Sequence, residues 1–221
     1  MFAVSVCSKA ESNAQRIGIF GGTFDPIHEG HIVVLREAVR ALLLDTVFVM
    51  PANIPSFKRK QNIATGNDRL RMVELALSDA KLEDAHCTFI ASGLEIERHG
   101  VTYTVDTVEA LRAQLPANAQ IYFILGTDAA RMLNIWHRSA DLANLCTFAI
   151  VDRQDEHLSQ AQLEFLEREG FNIEQIHVDT PDISSTKIRE LAARDLPLEG
   201  LVSPSVAAYI QTNNLYKKEC E

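Results

Sequence analysis

His28 and His31 follow a short apolar run and two glycines in the segment GIFGGTFDPIHEGH, residues 18–31. Gly21 and Gly22 let the backbone come close to a phosphate and adopt positive φ if the turn requires it. A helix beginning near His28 to Gly30 aims its N–H groups and positive dipole end at the same space. Residues three apart share one face of a helical turn. Two imidazoles so placed can donate hydrogen bonds to phosphoryl oxygens as charge builds on them, and Gly30 keeps that face open. The chemistry this predicts is phosphate binding. Two plainer readings are an ordinary tight turn and a metal-binding histidine pair, although no third ligand is evident nearby. The segment matches neither GxxxxGK[ST] nor GxGxxG.

A second cluster lies in ISSTKIR, residues 183–189. Ser184 or Ser185 makes a natural helix N-cap, leaving hydroxyls and N–H groups at another helix start. Arg189 falls one turn beyond Ser185, where a guanidinium can fork onto phosphate oxygens. The alternative is a capped helix with a solvated arginine; Lys187 projects elsewhere and reads as solvated. A third concentration, Lys58, Arg59 and Lys60 in PANIPSFKRK (51–60), stands out because the chain is acidic, with a formal net charge of −9. That charge argues against nonspecific nucleic-acid binding, which needs a basic face. Any bound phosphate must then find its positive potential locally.

Positioning these groups requires a scaffold, and the chain alternates short β-rich runs with amphipathic stretches. Strands are predicted at 16–20, 46–50, near 86–91, at 121–125, at 147–151 and near 175–178. Helices are predicted through Ile32, Leu35, Val39 and Leu42, and over 67–77 with Asn67 or Asp68 as cap. Others follow from Thr104 to about Leu115, around 128–134, over 158–170, at about 185–194 and at 203–212. This pattern implies an α/β Rossmann-like, doubly wound, mostly parallel sheet with helices on both faces and a small C-terminal helical part. In such sheets ligands bind beyond the carboxyl ends of the strands. The expected organisation is one domain over 16–216, a flexible extension over 1–15 and a tail at 217–221.

At 221 residues with 47% hydrophobic content, the chain has ample material for one core. Its longest apolar runs are too short to span a bilayer, and the N-terminus lacks the pattern of a signal peptide. Cys7, Cys87, Cys146 and Cys220 show no paired CxxC spacing, so reduced thiols and a cytoplasmic location are expected.

GGTFDPIHEGH and ISSTKIR together resemble the HxGH nucleotidyltransferase superfamily, and the GGTFDP form is most similar to bacterial nicotinate-mononucleotide adenylyltransferases. The resemblance runs from about Arg16 to Tyr216. It implies attack by the 5′-phosphate of nicotinate mononucleotide on the α-phosphorus of ATP, giving nicotinate adenine dinucleotide and pyrophosphate on the path to NAD. Catalytic roles then fall to His28, His31, Thr23 and Arg189. ATP is assigned to Gly21, Gly22, Phe24, Gly30, Ser184, Ser185 and Thr186, with Gly126 and Asp128 of a GxD segment at the ribose. The pyridine nucleotide is assigned to Lys58, to Thr104 of YTVDT at a helix start, and to Trp136 and His137. Trp136 stacks on the ring in this reading, and backbone N–H groups there grip the carboxylate.

Mg²⁺ enters with ATP, carried mainly by its phosphates, and no dedicated metal cage, nucleic acid or membrane partner is implied. Ser56 and Phe57 depart from the family's usual two prolines followed by His, which puts the shape of that loop in question. Nicotinamide mononucleotide or phosphopantetheine as acceptor, and a noncatalytic nucleotide-binding protein on the same fold, stay open. A zinc enzyme built on His28 and His31 is a further alternative.

Overall fold

The computed structural model describes residues 14–53, 64–80, 86–152 and 157–217. Its order begins β1 (Arg16–Gly22), α1 (Glu29–Leu42), β2 (Thr46–Pro51), α2 (Gly66–Asp79), β3 (Thr88–Ala91), α3 (Leu94–Arg98) and α4 (Thr104–Arg112). It continues through β4 (Gln120–Gly126), α5 (Thr127–Ala130), a 3-10 turn (Leu133–Ile135), α6 (Ser139–Ala143) and β5 (Thr147–Asp152). α7 (Gln160–Arg168), β6 (Asn172–His177), α8 (Ser185–Ala192) and α9 (Pro204–Thr212) complete it.

The six strands form one sheet in the order β3-β2-β1-β4-β5-β6, and every pairing is parallel, with Ile17 opposite both Thr46 and Ile121. Parallel strands need covering on both faces, and successive side chains of a strand point to opposite faces. The core divides accordingly. Phe20, Val49, Tyr122, Ile124 and Ala149 join α1, α2, α8 and α9 on one face. Ile19, Met50, Ile121, Phe123 and Phe148 join Val105 and Val108 of α4 on the other. The doubly wound architecture expected from the alternation is present. Among the described residues no helix is long and apolar enough to cross a membrane.

Local departures have local causes. The cap of α2 is Thr65, whose hydroxyl accepts the Asp68 amide at 3.1 Å, rather than Asn67 or Asp68 themselves. α4 stops at Arg112, short of Leu115, whose place before Pro116 disfavours the helical region. The helix expected over 128–134 breaks into α5 and the 3-10 turn. α8 ends at Ala192 rather than Arg194, and β6 begins three residues early, at Asn172. Five-residue helices such as α3 and α6 are too short to show a periodic stripe, and the sequence gives no sign of them.

Candidate active site

β1 and β4 are adjacent in the sheet although far apart in sequence, and there the strand order reverses. Beyond their carboxyl ends lies a cavity of about 680 Å³, where open α/β sheets place ligands. Of the residues expected to act, Gly21, Gly22, Thr23, Phe24, His31, Thr104, Gly126, Trp136 and His137 line it. His28, Gly30, Asp128, Ser184, Ser185, Thr186 and Arg189 sit outside that wall. Lys58, with Arg59 and Lys60, lies outside the described residues.

The loop after β1 is shaped by close packing. Phe24 adopts φ of 48°, which turns its ring inward, where it packs against Phe20 at 5.3 Å and edge-on to His31 at 5.1 Å. A β-carbon on Gly22 would stand 2.8 Å from the Phe24 ring, so a side chain there would displace that ring. His28 is the N-cap residue of α1 and is buried, 4% exposed. Its backbone amide donates to His31 Nδ1 at 3.2 Å, and the two rings stack with centroids 3.7 Å apart. With Nδ1 accepting, a neutral His31 carries its proton on Nε2. At Gly30 a β-carbon would press on the His28 ring at 3.1 Å, which explains the small residue between the histidines. One expectation is corrected: the first amide of α1, Glu29, donates to the Leu201 carbonyl at 3.0 Å instead of facing the cavity.

The C-terminal motif meets this loop directly. Ser184 caps α8 by accepting the Lys187 amide at 3.3 Å. Ser185 donates its hydroxyl to the Pro26 carbonyl at 2.9 Å. Arg189 donates to the Asp25 carbonyl at 2.8 Å and to the Thr186 hydroxyl at 3.2 Å, and its guanidinium is 3.8 Å from the Asp25 carboxylate. Two segments some 160 residues apart therefore share one corner, with the serine and arginine gripping the chain just before His28.

Arg69 holds the same corner from beneath. The structure buries it to 1% exposure. Its guanidinium donates to the carbonyls of Thr23 at 2.8 Å, Asn53 at 2.9 Å and Ala64 at 3.1 Å. Burial lowers its pKa, and Asp25 opposes that shift.

Across the cavity, Thr104 opens α4 with Tyr103 as its N-cap residue. The Trp136 indole meets Phe123 edge-on at 6.0 Å, and the His137 ring lies 4.3 Å from Tyr103. Gly126 caps α5. Asp128 is exposed and pairs with Arg131 at 3.2 Å, while its buried neighbour Thr127 donates to Asp152 at 3.0 Å. Sequence reasoning missed Glu95, a buried carboxylate in the cavity wall. It accepts the Thr107 hydroxyl at 2.7 Å, and that hydroxyl accepts from Arg98 at 3.1 Å. Burial raises the Glu95 pKa against the opposing pull of Thr107, Arg98 and Arg69. The one available signal was Glu95 and Arg98 three residues apart, on a helix too short to be noticed.

Among the described residues no three His, Cys, Asp or Glu side chains converge as a metal site. The imidazoles, hydroxyls and guanidinium around the corner offer hydrogen-bond donors, a chemistry that suits phosphate oxygens better than a hard cation.

The model of the cytidylyltransferase-like family matches residues 19–191. A Dehalococcoides mccartyi protein named "Probable nicotinate-nucleotide adenylyltransferase" is 36% identical over 210 residues, covering 92% of this chain and 98% of that protein. One of the same name from Geobacillus thermodenitrificans is 37% identical over 207 residues, covering 91% and 86%. Solved structures of Plasmodium falciparum nicotinic acid mononucleotide adenylyltransferase, complexed with NaAD or with APC, have TM-scores of 0.74 and 0.73. Each covers 91% of this chain and 97% of its own, at 20% and 19% identity. They share its fold.

Proposed function

The chain belongs to the nicotinate-nucleotide adenylyltransferases of the cytidylyltransferase-like family, and on that footing we propose that it transfers the adenylyl group of ATP to the 5′-phosphate of nicotinate mononucleotide. It is a nucleotidyltransferase. The observation that carries the specific reading is the shared corner. The His28–His31 pair and the Ser185–Arg189 turn meet through Pro26 and Asp25, beside a cavity whose opposite wall holds Thr104 and Trp136.

In this reading the triphosphate lies along the corner. An oxygen of the acceptor's phosphate forms a bond to the α-phosphorus while the bond to the bridging oxygen of pyrophosphate breaks. The nucleophile is already anionic, so no general base is required, and catalysis comes from alignment and charge stabilisation. His31 donates from Nε2 to an α-phosphoryl oxygen, helped by Thr23, and His28 backs that ring. Arg189 with Ser184, Ser185 and Thr186 neutralises the leaving β- and γ-phosphates. Gly21, Gly22, Phe24 and Gly30 shape the ATP side, and Gly126 and Asp128 receive ribose hydroxyls. Thr104, Trp136, His137 and Lys58 hold the pyridine nucleotide. Mg²⁺ accompanies the ATP phosphates and offsets their charge.

The test is pyrophosphate release from Mg²⁺-ATP with nicotinate mononucleotide, nicotinamide mononucleotide or phosphopantetheine supplied separately. Release fastest with the nicotinate form is expected. Equal rates with acid and amide would reject the preference, and release only with phosphopantetheine would replace the acceptor.

A further inference from the structure

Tyr216, near the C-terminal end of the described chain, reaches back across the molecule to Asp25. Its hydroxyl donates to Asp25 Oδ1 at 2.9 Å, a contact spanning 191 residues. The chain is bent to make it. After α9, Asn214 and Tyr216 both take left-handed backbone conformations, φ 50° and 67°, which a β-carbon disfavours. The turn is tied by the Leu215 amide to the Ile210 carbonyl at 3.0 Å. Burial and the neighbouring Asp25 carboxylate push the Tyr216 pKa up, so its hydroxyl stays a donor.

Asp25 is the junction. Oδ1 takes two hydrogen bonds, from Tyr216 and from the Ala64 amide at 3.0 Å, while Oδ2 lies 3.8 Å from Arg189. That spacing is too long for the bidentate pairing an arginine and a carboxylate prefer. Resting on the assignment of Arg189 to the ATP phosphates, we propose that Tyr216 is a positioning residue for ATP. By holding the Asp25 carboxylate turned toward itself and Ala64, it stops Asp25 from capturing the Arg189 guanidinium. Without the hydroxyl the carboxylate rotates onto Arg189, and the arginine is withdrawn from the β- and γ-phosphates.

The test uses the full chain with Tyr216→Phe. Binding of a nonhydrolysable ATP analogue is measured by calorimetry, and KM for ATP and for the acceptor by pyrophosphate release. About tenfold weaker ATP binding is expected, the scale of one charge-assisted hydrogen bond, with the acceptor KM unchanged. Tyr209→Phe is the control, because that hydroxyl donates from α9 to Asp68 at 2.9 Å, away from Asp25; it should leave ATP binding unaltered. In the double variant Tyr216→Phe/Asp25→Asn, the loss should equal that of Asp25→Asn alone, since no carboxylate remains to capture Arg189. ATP binding by Tyr216→Phe within twofold of the parent, equal shifts for ATP and acceptor, or additive losses in the double variant would overturn the proposal. A parent protein that binds the analogue but uses no pyridine nucleotide would refute the acceptor assignment alone, with Tyr216 still decided by the binding ratio. A parent that binds no ATP would sink both.

Discussion

His31 accepts the backbone amide of His28 through Nδ1 at 3.2 Å, with the two imidazoles stacked 3.7 Å apart. The bond assigns unequal work to two residues that look equivalent in sequence. His28 is buried, 4% exposed, and His31 stands in the cavity wall.

His31→Ala should therefore lower kcat by about two to three powers of ten, the usual effect of deleting one preorganised donor to a developing oxyanion. The KM for ATP should change little, because the interaction strengthens only as charge builds. Steady-state kinetics with circular dichroism as the check on folding measures this. Turnover near that of the parent protein would remove His31 from the mechanism.

Arg69→Met should be a stability variant before it is an activity variant. The change leaves the Thr23, Asn53 and Ala64 carbonyls without the donor they share. At about 1–3 kcal/mol for each unsatisfied buried acceptor, less whatever water recovers, a loss of about 3 kcal/mol is expected. For a chain of this size that is a fall in Tm of roughly 6–12 °C. Arg69→Lys should not restore it, since one ammonium cannot span three carbonyls that the planar fork reaches. A lysine variant with the parent's Tm would show that charge, not the fork, is what the corner uses.

How much of this was legible in the sequence depends on the range of the interaction. The parallel sheet was legible because strand runs such as IYFIL and amphipathic helices such as α1 carry their periods in consecutive residues. The loop that carries Gly22 and His31 was legible for a similar reason, since its packing is local to one turn. Glu95, the burial of Arg69 and the Tyr216–Asp25 bond were not, because each depends on a partner that only the packed fold supplies. Asp128, assigned to a ribose by its place in GxD, is exposed and paired with Arg131, a partner the sequence motif does not name.

Trp136 offers a clean readout because it is the only tryptophan among 221 residues. Its fluorescence should respond to nicotinate mononucleotide and much less to ATP, if it lies on the acceptor side of the cavity as proposed. Trp136→Ala should raise the acceptor KM by roughly tenfold, the worth of one stacking contact, with the KM for ATP within about twofold. Quenching by ATP alone, or an equal rise in both KM values, would place Trp136 elsewhere in the reaction.

Glu95 ties the cavity wall to the pH dependence of stability. Burial raises its pKa above the ordinary glutamate range, so the folded protein holds this proton more tightly than the unfolded chain does. The stability linked to the proton is complete below the unfolded pKa and is lost as pH rises through the higher folded value. Glu95→Gln carries no such proton and can still accept the Thr107 hydroxyl. The Tm of the parent minus that of Glu95→Gln should thus decline as pH climbs above about 4. Thermal unfolding of both proteins across pH 4 to 8 measures the difference directly. A difference that grows with pH would mean that the Arg98 and Arg69 charges outweigh burial.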